Sequence, residues 1–312
     1  MSDRTLVKVK APVKSLNRRR EEKVAYWSLI LPGFLIYVFV MAFPTIFGLY
    51  LSLTNYKGGP LFGPKKRQID IVGFKYYLDM LKDSYFWLAL KNNMWITFIS
   101  VFGQIPLGFF MAYLIFRGMI KGKDFFQTVI YLPCVISTVV IGKLWDAIMS
   151  PNGALPDIIR IFNPSYVAGN SEHPIVPVLF VILWMYTGTY LIIFLANMQK
   201  IDTSIIEAAK IDGATEFQAL RYIILPALSG VIVTSCILAI SGSLKSFDLI
   251  YVMTGGGPAK QTYVLSIFMY DKAFKGAPNY PLANAVSVVM CIISFSLIGI
   301  TKMVEKKFGG KE

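Results

Sequence analysis

The chain has 312 residues, 55% of them hydrophobic and only 16% charged, with a mean hydropathy of +0.57. A soluble domain is roughly a quarter charged, so this composition excludes intrinsic disorder and a disulfide-stapled mini-protein and argues against a cytosolic enzyme. The 31 Lys and Arg against 18 Asp and Glu give a net charge of +13; on a polytopic membrane protein such an excess marks cytoplasmic segments, and no nucleic-acid partner is expected.

In chain order, residues 1–26 form a basic, polar tail and residues 304–312 a second short tail, with the membrane domain over 27–303 between them. A spanning helix needs about 20 mostly apolar residues, because ~30 Å of hydrocarbon is crossed at 1.5 Å per residue with every backbone group bonded internally. Six stretches qualify: 27–53, 94–116, 126–149, 175–198, 225–253 and 282–303. The first is too long, and lacks a small-residue cleavage site, to be a removable signal, so it is expected to remain as an anchor. Pro32, Pro44 and Pro106 predict kinks. Of the basic residues, 18 fall in the first tail, the segment from Lys302 onward and the loops near 117–125 and 199–224, whereas 10 fall in the three opposite loops. That bias predicts both termini in the cytoplasm of a multi-pass membrane protein.

Six of those 10 opposite charges lie in the first outer loop, at Lys57, Lys65, Lys66, Arg67, Lys75 and Lys82, against Asp70, Asp79 and Asp83. Such an excess runs against the usual bias. It is read as attraction of an acidic solute, or of an acidic face on a partner, or as a solvated loop with no specific role. Cys134, Cys236 and Cys291 lie singly in apolar spans and the single His173 sits in an outer loop, so neither a metal site nor a catalytic cluster is expected.

Ionisable groups within spans are costly, which directs attention to two Lys/Asp pairs at i,i+3 spacing, Lys143/Asp146 and Lys245/Asp248, each expected to neutralise itself on one helix face. Ser241, Gly242, Ser243 and Ser246 surround the second pair and make a polar, small-residue strip. It serves either as a helix-packing seam or as the lining of a pathway.

The loop between the fourth and fifth stretches reads as a helix. Ile206, Ala209, Gly213, Phe217 and Leu220 recur at three- and four-residue steps, Ser204 and Glu207 form a capping-box pattern, Gly213 marks a turn, and Pro226 separates the loop from the next span. The apolar stripe is expected to face a partner outside the bilayer. Glu207-Ala208-Ala209, then Asp212-Gly213-Ala214, then nine residues from Ala214 to Tyr222 before Ile223-Ile224-Leu225-Pro226, resembles the EAA loop of permease subunits of ATP-binding-cassette importers. The resemblance implies that this coupling loop, about residues 202–219, docks into an ATPase subunit, with Phe217 in the docking element.

After the fifth stretch, Gly255, Gly256, Gly257 and Pro258 make a tight turn; the spacing to Lys260 and the absence of a following Ser or Thr exclude a phosphate loop. This segment, together with residues 131–145 and the turn after them, is similar to the maltose-type carbohydrate permeases. The resemblance implies an all-α, six-helix permease of the type I importer fold, paired with a second permease, with two ATPase subunits below and a solute-binding protein above. ATP and Mg would be bound by the ATPases, and no cofactor by this chain, which has no Walker A motif. It also places Tyr186, Thr189, Gly242, Ser243 and Ser246 at sugar-lining positions, with Lys245 beside them. The alternative from another class is an ion-coupled secondary transporter or channel, in which the Lys/Asp pairs would couple ions.

Overall fold

The computed structural model describes residues 16–60, 69–162 and 174–308. The cluster Lys65, Lys66 and Arg67 and the loop His173 lie outside them. The chain divides into two units, Met1–Leu51 and Ser52–Glu312. Among the described residues there is no β-strand, only one antiparallel bridge between Thr54 and Ile71.

Helix α1 spans Glu21–Ser52 and is helical already from Leu16, so the expected tail joins the span without a break. The second unit opens with the short α2 (Lys75–Lys82) and the long α3 (Ser84–Phe116). Then come α4 (Lys123–Val135), α5 (Thr138–Met149), α6 (Ala154–Phe162) and α7 (Ile175–Met198). The loop helix α8 (Thr203–Ile211) precedes α9 (Glu216–Ala227), α10 (Ser229–Leu244), α11 (Asp248–Thr254), α12 (Leu265–Phe274) and α13 (Tyr280–Phe308). Among the described residues, α1, α3, α7 and α13 are long and apolar enough to cross a membrane singly, and the count rises to six where each of two bent pairs is taken as one span.

The third and fifth expected spans are therefore not continuous. α4 and the helices after it are bent by 96° at Ile136 and Ser137, whose extended ψ values of 142° and 133° end the helix just beyond Pro133. α9 and α10 are bent by 66° at Leu228. α10 stops at Leu244, three residues before α11 begins.

Prolines act differently from the simple expectation. Pro44, Pro106 and Pro226 are each preceded by a π turn, over Val38–Ala42, Ser100–Gln104 and Leu220–Ile224. A proline ring collides with the carbonyl four residues back, and in each case that carbonyl, on Val40, Phe102 or Tyr222, lies inside the widened turn. The π turn makes room for the ring and the helix continues. Pro226 thus sits inside α9 rather than separating the loop from the membrane.

α7 is the centre of the second unit. Its apolar window is 56% buried, against 39% for α3 and 17% for α13. Close crossings depend on small residues: a Cβ at Gly108 would come 2.8 Å from the Leu191 backbone nitrogen, and one at Gly188 2.9 Å from Tyr131 Cα. α3 supplies the polar links. Gln104 Nε2 donates to Ile182 O at 2.8 Å. Asn92 Nδ2 donates to the carbonyls of Gln261 and Tyr263, each at 2.8 Å. Asn93 donates to Ser243 O at 2.9 Å and accepts from Leu265 N at 2.7 Å. Ser243 O lies in the last turn of α10 and Leu265 N in the first turn of α12, and a helix end leaves such groups without partners in its own helix. Asn93 satisfies both and so stabilises the break in the fifth span.

Candidate functional site

Two regions carry the residues singled out from the sequence. The first is a cavity of about 330 Å³ bordered by α3, α5, α7, α10, α11 and the break before α11. Tyr186, Thr189, Gly242, Ser243, Lys245 and Ser246 all border it, joined by Ser100, Gln104, Thr138, Tyr190, Phe247 and Asp248. The break explains the concentration of polar groups. Backbone freed from helical bonding is tolerated at membrane depth only where protein or a water-filled cavity surrounds it, and Lys245, Ser246 and Phe247 are the residues of that break.

These positions do not contribute alike. Gly242, Lys245 and Asp248 are exposed and Ser246 is half-buried. Ser243 is buried, its hydroxyl 2.7 Å from Thr97 Oγ1 and 2.9 Å from Ile240 O. Its side chain therefore knits α10 to α3, as a packing seam would. The expected pairing of Lys245 with Asp248 does not form, because the helix that would align them is interrupted; among the described residues neither joins an ion pair. Lys143 and Asp146, on the continuous α5, do pair at 3.6 Å with both side chains largely exposed.

The sequence reading missed Ser100, Gln104, Thr138, Tyr190 and Phe247. A signal existed for two of them. Asn93, Thr97, Ser100 and Gln104 fall at steps of four, three and four residues on α3, a polar stripe down one face of an apolar helix.

The Gly255 to Pro258 turn closes α11 near this cavity. Gly255 (φ 58°) and Gly256 (φ 87°) occupy the left-handed region, and a Cβ on Gly256 would overlap the Tyr263 ring. Thr254 Oγ1 and Thr262 Oγ1, 2.7 Å apart, clasp the turn, and Thr262 also donates to Gly257 O at 2.8 Å.

The second region is the loop 202–219. Asp202, not Ser204, caps α8: its carboxylate accepts from Ser204 N at 2.9 Å, and that bond holds the carboxyl below the usual Asp range. Gly213 (φ 87°) makes the turn, and Thr215 with Gln218 forms the capping box of α9. Ile206 and Ala219 are buried in a core cluster with Ile105, Ala112 and Tyr113 of α3. The apolar stripe is thus split. Ile206 and Leu220 turn inward, whereas Phe217 (67% exposed), Ile205 and Ile211 (86%) present the free apolar surface. Glu207, Ala208, Asp212 and Gly213 are exposed and Ala209 and Ala214 half-buried. Arg117, following α3, holds Glu216 of α9 through Nε–Oε2 at 2.9 Å and a second bond from Nη2 to Oε1.

Residues 104–310 match the family described as the binding-protein-dependent transport system inner membrane component. The chain belongs to this family. The match begins at Gln104 in α3 and takes in both the loop and the cavity-bordering break. Among its relatives, this permease is 30% identical over 286 residues to the probable ABC transporter permease protein YurN of Bacillus subtilis, covering 89% of this chain and 94% of that one. It is 30% identical over 290 residues to the multiple sugar-binding transport system permease protein MsmF of Streptococcus mutans, covering 91% and 95%. A chain of the solved bacterial alginate ABC transporter superposes with a TM-score of 0.78 at 19% identity, over 95% of this permease and 99% of that chain, which shows a shared fold. The permease is a membrane component of an ATP-binding-cassette importer, and its relatives are transport proteins rather than enzymes. Family membership sets aside the ion-coupled transporter reading.

Proposed function

We propose that this permease forms half of a translocation pathway for oligosaccharides. It pairs with a second permease, receives sugar from a solute-binding protein, and couples to two ATPase subunits through residues 202–219, with the loop and both termini in the cytoplasm. ATP and Mg are bound by those ATPases. The observation that carries the reading is the cavity: Tyr186, Thr189, Gly242, Lys245 and Ser246, from two separate helices and the break, border one space of about 330 Å³ together with Phe247 and Tyr190. Hydroxyls both donate and accept, and ring faces pack on a pyranose, so this lining suits a polyhydroxylated substrate. Relatives named for multiple sugars, for lactose and for trehalose/maltose agree with that chemistry.

Lys245 supports an acidic sugar as a second reading, since it faces the cavity without a carboxylate partner among the described residues. Asp248 borders the same cavity, so the lining as a whole suits neutral sugars as well. Uptake of maltotetraose and of a tetrauronate, by the parent importer and by Lys245→Met, separates the two. Loss of uronate uptake alone in the variant supports the acidic substrate; an importer that moves neither compound with ATP contradicts the oligosaccharide reading.

A further inference from the structure

Phe247 does not stand alone at the cavity wall. Its ring stacks on Tyr251 at 4.9 Å and 14° and meets Tyr270 at 5.3 Å. Tyr251 meets Tyr270 at 5.5 Å, and Tyr270 meets Phe274 at 5.3 Å. Phe247, Tyr251 and Tyr270 are half-buried and Phe274 is 68% exposed.

The direction of this series follows from α3. Asn93 bonds both Ser243 and Leu265, which fixes the break and the start of α12 at one level. From there α12 runs toward the beginning of α3, where Lys272 Nζ lies 2.8 Å from Asp83. The loop 202–219 lies at the other end of α3, where Arg117 meets Glu216. The rings therefore lead from the cavity to the mouth opposite the coupling loop.

We propose that Phe247, Tyr251, Tyr270 and Phe274 form a saccharide-binding ladder, along which sugar rings pass from that mouth into the cavity. The proposal rests on the oligosaccharide reading and extends it beyond the cavity. Successive ring centres lie 4.9 to 5.5 Å apart, Phe247 and Tyr251 stacked and the others tilted or edge-on, so a sugar advancing along their outer side passes from one ring directly to the next. The mouth also supplies polar groups. Lys275 Nζ sits 5.2 Å from the Tyr251 ring centre and 5.8 Å from that of Tyr270, and it is tethered to Asp271 at 2.9 Å. An incoming sugar would displace the ammonium from the rings, while the Asp271 carboxylate keeps it close enough to bond a hydroxyl. An aromatic belt at the membrane interface would also place Tyr and Phe near a helix end. It would not need continuity with the cavity, which Phe247 provides.

The test uses the complete importer in ATP-loaded proteoliposomes with its binding protein. Maltose, lactose, trehalose, raffinose, maltotetraose, a diuronate and a tetrauronate serve as probes. Tyr270→Leu and Phe274→Leu keep apolar bulk but remove the ring, and Tyr270→Phe and Phe274→Tyr restore it. The Leu variants should lower maximal uptake about five- to tenfold, tenfold being the factor that 1.36 kcal/mol makes in a rate. Tetrasaccharide should lose more than disaccharide, binding-protein-stimulated ATP hydrolysis should persist, and the ring-bearing variants should recover. A merely structural role would not depend on sugar length. If the parent imports one of the probes and the Leu variants match it at every length, the ladder is overturned and the oligosaccharide reading stands. If the parent imports none of the probes, both fall.

Discussion

Arg117 holds Glu216 across 99 residues of sequence, joining the C-terminal end of α3 to the first turn of α9 by two parallel hydrogen bonds, with Tyr113 donating to the same carboxylate from 3.4 Å. Arg117 is 19% and Glu216 46% exposed at the side chain, so solvent screens the pair and its contribution to stability is under about 1 kcal/mol. Its geometry matters more than that energy. The pair ties the loop 202–219 to a helix that borders the cavity, so any displacement of the loop would reach α3 directly.

The charge reversal Arg117→Glu should therefore lower the amount of sugar moved per ATP hydrolysed by several-fold while the importer still assembles. Adding Glu216→Arg should restore much of the loss. Coupling ratios measured on the two single variants and the double variant check this; a double variant no better than the singles would show that the pair does not transmit force.

Asp202 gives the loop a pH dependence. Its carboxyl is depressed in the folded state, so its stabilising effect is present above the unfolded Asp value, about 3.9, and is lost as pH falls through the lower folded value. Hydrogen exchange at α8 amides should accelerate in the parent only below the usual Asp range. Asp202→Asn keeps an acceptor without the titration and should show no such step.

How much of this was legible in sequence depended on range. The apolar runs located the four long helices and both bent pairs, and Gly213 and the turn at Gly255 and Gly256 were legible because a positive φ leaves few residues to choose from. The cavity residues were placed together by a resemblance rather than by periodicity. The helix breaks were not legible at Lys245, because nothing local ends that helix: Asn93, 150 residues earlier, accepts the consequence. The inward turn of Ile206, expected on the outward stripe, was settled by packing against Ile105, Ala112 and Tyr113 of α3. The polar stripe from Asn93 to Gln104 was in the sequence and pointed to the cavity, but the apolar majority of that span concealed it.

Asn93 should be the most sensitive of these buried groups. Asn93→Ala strands the buried Leu265 amide, at ~1–3 kcal/mol, and removes one donor from Ser243 O, which keeps Ser246 N at 3.3 Å; it should lower the thermal midpoint of the detergent-solubilised importer by a few degrees. Asn93→Asp can still accept from Leu265 N but cannot donate to Ser243 O, and should fall between. An unchanged midpoint in Asn93→Ala would mean that the break is held by other contacts.

Accessibility should distinguish the lining positions. Cysteines at Gly242, Lys245 and Ser246 should react with small hydrophilic thiol reagents, more slowly when the importer is turning over sugar. A cysteine at Ser243 should react at least tenfold more slowly, the Ser243 side chain being buried against Thr97. Equal labelling at all four would contradict the arrangement.

The central claim is that one chain both lines the sugar path and receives the force of ATP hydrolysis at the loop. Simultaneous measurement of maltotetraose accumulation and ATP hydrolysis in proteoliposomes tests it most directly, comparing the parent with Gly242→Phe, Gly213→Pro and Ala209→Glu. The account predicts that Gly242→Phe abolishes accumulation while stimulated hydrolysis continues, and that Gly213→Pro and Ala209→Glu lose both accumulation and its coupling to hydrolysis while the subunit remains inserted. Accumulation that survives all three substitutions, or that proceeds without ATP, would contradict it.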